Sequence, residues 1–147
     1  MIEPAILHYC KYQERCHSEV RNKLFELGMY SAAVGEQIAL LVEAGVLNEE
    51  RFARAFARGR WRLKQWGRNK IKQQLRLKKV SEYCIKKGLS EIDDEEYAEV
   101  IMKIAAKKAS ELAKERSILS KKAKLSRFLL QRGYEQDIVS ECIKSLL

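Results

Sequence analysis

The sequence predicts an all-α fold of three tandem three-helix repeats, stacked into an elongated, slightly curved solenoid. Three observations carry this. The chain holds one proline and 7 glycines in 147 residues, too few breakers for the closely spaced turns of an all-β fold, and no stretch alternates in period two for long. Apolar residues recur instead at helical spacing. A short pattern also appears three times, in residues 20–30, 71–81 and 125–135. A large apolar residue is followed by another four later: Val20 and Leu24, Ile71 and Leu75, Leu125 and Leu129. Gly28 and Gly133 come at matched places, and then Met29, Val80 or Tyr134. A glycine just past a helix reads as the left-handed C′ residue, where the missing Cβ removes a steric penalty. Offsets of 51 and 54 residues between the copies suit a three-helix unit stacked serially.

The elements follow in order. The first repeat, residues 1–46, is expected to hold helices at 3–15, 18–27 and 31–44. The second, 47–92, holds 48–65, 68–78 and 81–89. The third, 93–147, holds 94–114, 117–132 and 135–146. Ser31, Asn48, Ser81 and Asp93 read as N-caps. Asp93 with Glu96 resembles a capping box, and the acidic run 93–96 suits the positive end of a helix dipole. In 48–65, Phe52, Ala55, Phe56, Gly59 and Leu63 share one stripe, as a core-facing surface requires. Ile71 and Leu75 point inward from the next helix. At position 79, where the pattern asks for glycine, the chain has lysine. If the turn is the same, Lys79 bears a left-handed backbone at a cost of about 1 kcal/mol.

Charge narrows the function. The formal net charge is +9 at pH 7. Residues 1–46 carry 4 basic and 6 acidic groups, residues 47–80 carry 12 and 2, and residues 81–147 carry 13 and 12. The excess therefore sits in the middle of the chain. There it lies on ordered stripes: Arg51, Arg54, Arg58 and Arg62 in one helix, with Trp61 at the margin, and Arg68, Lys72, Arg76 and Lys79 in the next. Like charges at i, i+4 repel by roughly 0.2–0.5 kcal/mol per pair. A polyanion would offset that cost through charge-assisted bonds and counterion release. Trp61 and Trp66 are more simply packing residues than base-stacking platforms. A second basic run, Lys114, Arg116, Lys121, Lys122, Lys124, Arg127 and Arg132, follows in the last third.

Other classes fall away. No run approaches the roughly 18–20 apolar residues of a membrane helix, and the N-terminus has no basic start before an apolar core. Cys10, Cys16, Cys84 and Cys142 show no C-x-x-C pair and read as reduced thiols of a cytoplasmic protein. Cys10, Cys16 and His17 make at most a partial zinc set, because no second ligand pair follows. There is no phosphate-binding glycine loop and no H-E-x-x-H. His8 and His17, with Glu14 and Glu19 nearby, read as surface residues rather than a catalytic pair. No enzyme activity and no cofactor are expected. The apolar content suffices for a monomer, and no heptad pattern demands a dimer.

The run Leu47-Asn48-Glu49-Glu50-Arg51-Phe52-Ala53, then Phe56, Arg60, Gly67, Ile71 and Leu75, resembles the central signature of the RecX family, bacterial regulators of the RecA recombinase. Arg132-Gly133-Tyr134, after Phe128 and Leu129, looks like the family's last repeat. The resemblance covers about residues 18–147. Two departures stand out: Lys79 follows Lys78 where the family often has glycine, and the usual G-x-G before the second helix is Gln65-Trp66-Gly67. The resemblance implies tandem three-helix repeats. It also implies binding along the RecA–DNA filament by wedging into its helical groove, with lowered recombinase, ATPase and coprotease activity. The implied partners are the RecA filament with its single-stranded DNA and, more weakly, bare DNA, with no membrane. Arg51, Arg54, Arg58, Arg60, Arg62, Lys64, Arg68, Lys72 and Arg76 are the expected polyanion contacts. The alternative reading is a general module for single- or double-stranded nucleic acid.

Overall fold

The computed structural model describes residues 1–147. It contains nine helices and no strand: α1 (Pro4–Tyr12), α2 (His17–Glu26), α3 (Ser31–Glu43), α4 (Glu49–Lys64), α5 (Arg68–Leu77), α6 (Glu82–Leu89), α7 (Asp94–Glu111), α8 (Ile118–Gln131) and α9 (Gln136–Leu146). The all-α, three-helix-repeat reading holds. Side chains cap the starts as the sequence indicated. Asn48 accepts from the Arg51 N–H at 2.9 Å, Ser81 from Cys84 at 3.2 Å and Asp93 from Glu96 at 2.9 Å. Ser31 is a correction. It is the first residue inside α3, and Tyr30 is the N-cap, without a side-chain bond. The Tyr30 carbonyl already accepts from Val34 at 2.9 Å, so the helix begins one residue earlier than a serine cap would place it.

The threefold pattern is a threefold turn. At the end of α2, Gly28 and Met29 donate to Phe25 and Leu24 at 3.0 and 3.2 Å. At the end of α5, Lys79 and Val80 donate to Arg76 and Leu75 at 2.9 and 3.1 Å. At the end of α8, Gly133 and Tyr134 donate to Leu130 and Leu129 at 3.0 and 3.3 Å. Each is a Schellman closure, which satisfies carbonyls a helix end would otherwise leave open. The closure at Gly45 and Val46 after α3 has the same bonds and was not anticipated. Lys79 takes the turn without glycine, at φ +62°. Lys79→Gly is therefore expected to raise stability by about 0.5–1 kcal/mol, the relief of the left-handed penalty less the added freedom of the unfolded chain. Urea unfolding should show a higher midpoint at unchanged slope, and Lys79→Ala should show no gain.

Residues 1–58 with 74–91 form one compact unit, and residues 59–73 with 92–147 form another. In the first, Ile6, Cys10, Val20, Leu24, Val34, Ile38, Leu41 and Leu47 make a continuous core. Gly88 of α6 lies so close to α4 that a Cβ would sit 2.6 Å from the Ala53 carbonyl oxygen. In the second, Trp61, Tyr97 and Tyr134 are buried, with Tyr97 5.0 Å from Trp61 and 6.2 Å from Tyr134 between ring centres. The stripe expected along α4 is corrected at its far end. Phe52 and Phe56 are buried as expected, but Leu63 is 86% exposed and Trp61 only 4%. The helix contributes residues to both units, so no single stripe describes it. Beyond Gly59 the larger indole, packed on Tyr97, removes more apolar surface from water than leucine would.

Candidate polyanion interface

The connection between α4 and α5 is built by a joint within the second unit. Gly67 N–H donates to the Arg132 carbonyl at 2.7 Å, and Asn69 N–H to that of Gly133 at 2.9 Å. Tyr134 Oη donates to the Gln65 carbonyl at 2.7 Å, and Arg132 reaches the Lys64 carbonyl at 3.3 Å. Two features noted separately in the sequence, Gln65-Trp66-Gly67 and Arg132-Gly133-Tyr134, are thus the two halves of one contact. A side chain at 67 would enter the Gly133 backbone, and one at 133 would meet the Lys70 amide nitrogen at 2.6 Å. Gln65 takes φ +55°, a left-handed conformation that glycine adopts more readily.

On this joint stands Trp66, half-buried. Lys70 lies 4.5 Å from an indole ring centre, Arg60 5.4 Å and Lys64 5.6 Å. Three cations share one aromatic surface, each attracted by its quadrupole. Lys70 was not among the expected site residues. Its position one turn after Trp66 was the available signal. Arg62 and Lys64 are exposed, Lys72 is half-exposed, and none of the three forms an ion pair. Trp61, by contrast, is a packing residue.

Five of the nine expected contacts hold carboxylates of the chain itself. In the first unit, Arg51 pairs with Glu14 and donates to the Gly45 and Val46 carbonyls at 3.2 and 3.1 Å, closing the end of α3. Arg54 pairs with Glu50 at 3.1 Å and Glu91 at 3.0 Å. Arg58 pairs with the same Glu91, whose pKa it lowers, with Arg54 acting in the same direction. Arg76 grips Glu82 at 2.7 and 3.2 Å. In the second unit, Arg68 pairs with Asp94 and, at 3.3 Å, with Glu135. The repulsion along these stripes is therefore largely offset inside the fold. Exposed pairs are worth only about 0–1 kcal/mol, so the exposed arginines among them can exchange a carboxylate for a phosphate at small cost.

Arg68 is held more firmly. Its guanidinium lies 4.0 Å from the Tyr97 ring centre. Its backbone N–H donates to Tyr97 Oη at 2.9 Å, and that hydroxyl donates to Glu135. Burial first, and then the bond to Glu135, raise the Tyr97 pKa far above its ordinary value, so the phenol remains a donor. Tyr97→Phe leaves the Glu135 carboxylate without this donor and the first amide of α5 without an acceptor. A loss of about 1–3 kcal/mol is expected in chemical unfolding. The histidines are separate from this chemistry: His17 Nδ1 meets Glu49 at 3.0 Å, while Glu14 holds Arg51 and Glu19 meets Lys78 at 3.2 Å. Cys10, Cys16 and Cys142 are buried free thiols, with pKa values raised by burial. No helix is long and apolar enough to cross a membrane.

Comparison with known proteins places this arrangement. Residues 48–89 match the family model described as RecX, second three-helix domain, and residues 94–143 that described as RecX, third three-helix domain. A regulatory protein RecX of Clostridium perfringens (strain 13 / Type A) is 37% identical over 133 residues, covering 90% of this chain and 62% of that protein. One from Clostridium botulinum (strain Alaska E43 / Type E3) is 35% identical over 134 residues, with the same coverage of each. The chain thus spans 62% of the length of these relatives. The crystal structure of RecX from Lactobacillus salivarius matches with a TM-score of 0.86 at 27% identity, covering 97% of this chain and 92% of that one.

Proposed function

This chain belongs to the RecX family, and from that premise we propose that it regulates the RecA recombinase, binding the RecA–DNA filament and lowering its recombinase, ATPase and coprotease activities. The observation that carries the reading is the match of the second and third RecX domains to the segment that holds the charge excess and the Gly67–Gly133 joint. RecA and its DNA are the partners, a monomer is the acting species, and the cytoplasm is the location. The protein performs no catalysis of its own. A filament groove exposes phosphate and acidic protein surface, and in the second unit Arg62, Lys64 and Lys72 meet it first, beside Arg60 at the Trp66 ring. In the first unit, Arg51, Arg54, Arg58 and Arg76 bind polyanion by exchanging their carboxylates, and in the second Arg68 holds the start of α5.

RecA-dependent ATP hydrolysis on single-stranded DNA tests the reading. Substoichiometric amounts of this protein are expected to depress it, and undiminished hydrolysis across a full titration would overturn the proposal. The clustering of Lys64 and Lys70 at the Trp66 ring also supports a second reading, a general nucleic-acid module. That reading requires tight binding to bare DNA or RNA, falling steeply with salt.

A further inference from the structure

The second unit carries another cationic feature, beside the α4–α5 connection and sharing Gln65 and Arg132 with it. A cleft of about 230 Å³ is lined by α7 and α8 and reaches Gln65. The half-buried Phe128 ring forms part of its wall, with the Lys108 ammonium 4.9 Å from the ring centre and the Arg132 guanidinium 5.6 Å. Ile104 adds apolar wall, and Lys107 stands exposed at the edge. Arg132 is fixed in advance by its bonds to Tyr134 Oη at 3.2 Å and to the Lys64 carbonyl. The opposing carboxylate is Glu111, which pairs with Lys108 at 3.7 Å and is 55% exposed, a contact too weak to hold the lysine against a phosphate.

We infer that this cleft binds one nucleotide unit of a single nucleic-acid strand. Its phosphate meets Lys107, Lys108 and Arg132, and its base or sugar edge lies against Phe128 and Ile104. An aromatic surface flanked by cations is the chemistry that strand-binding proteins use, tolerant of sequence because every base has a π-face. Size decides between a strand and a free nucleotide. Pockets that enclose a free small molecule run to roughly 300–1,000 Å³, and this cleft is smaller, so its ligand needs anchoring elsewhere along a longer chain. The inference rests on the nucleic-acid part of the proposed function.

The test uses the full chain at low salt with an oligo-dT strand carrying 5-iododeoxyuridine. Irradiation and peptide mapping are expected to place an adduct on Phe128. Lys107→Gln, at an exposed position, is expected to reduce the slope of log affinity against log salt by about one. Phe128→Leu is expected to weaken strand binding by about tenfold, and free ATP or dTMP should not displace the strand. Adducts only elsewhere, an unchanged slope, absence of strand binding, or displacement by the free nucleotide would each overturn the inference. RecA-dependent hydrolysis, run on the same preparations, keeps the two readings apart. Inhibition by wild type without the Phe128 adduct refutes the cleft alone, and the adduct without inhibition refutes the regulatory reading alone.

Discussion

Gly67→Ala is expected to lower the unfolding free energy by roughly 3 kcal/mol, combining an overpacking cost of about 1–3 kcal/mol with a weakened hydrogen bond of about 1 kcal/mol. The new methyl would enter the Gly133 backbone, and the two chain segments must part to admit it. Parting them strains the 2.7 Å bond from Gly67 N–H to the Arg132 carbonyl. Gly133→Ala is expected to cost at least as much, because φ there is +96° and Lys70 crowds the position. The two losses should not add, since both open the same joint. Gly35→Ala and Gly59→Ala are the controls. Both glycines lie inside helices with open space where a Cβ would go, and each change is expected to stabilise by up to about 1 kcal/mol. Urea unfolding followed by circular dichroism checks all four. Equal behaviour of the crowded and open glycines would refute the joint.

Replacing Arg62, Lys64 and Lys72 together by glutamine is expected to weaken binding to the RecA–DNA filament by about a hundredfold at low salt, with little change in stability. None of the three is in an ion pair, so removing them leaves no carboxylate unpaired. If each meets one phosphate, the slope of log affinity against log salt falls by about three. Arg54→Gln with Arg58→Gln is the contrast. Both arginines pair with Glu91, so a smaller effect on binding and a measurable one on stability are expected. The reverse ranking would mean that the paired arginines carry the contact.

These two predictions mark where the sequence was legible and where it was not. Helix starts followed from Asn48, Ser81 and Asp93, because a cap acts on an amide three residues away. The left-handed turn at Lys79 followed from its alignment with Gly28 and Gly133. Local periodicity failed along α4, where Trp61 rather than Leu63 is buried. One wheel assumes one partner surface, and this helix contributes residues to two units. The basic stripes were visible as stripes, but the carboxylates that hold Arg51, Arg58 and Arg68 lie 26 to 67 residues away in sequence. No wheel reveals them. Nor did spacing show that Gln65-Trp66-Gly67 packs on Arg132-Gly133-Tyr134, because every acceptor in the joint is a backbone carbonyl and no side-chain pair marks it.

The most direct measurement is the affinity of this protein for a RecA–single-stranded-DNA filament compared with the same strand bare, at one physiological salt concentration. Binding at least tenfold tighter to the filament, lost in the Arg62, Lys64 and Lys72 triple variant, is the predicted result. Equal or tighter binding to the bare strand would contradict it and leave a nucleic-acid module in place of a filament regulator.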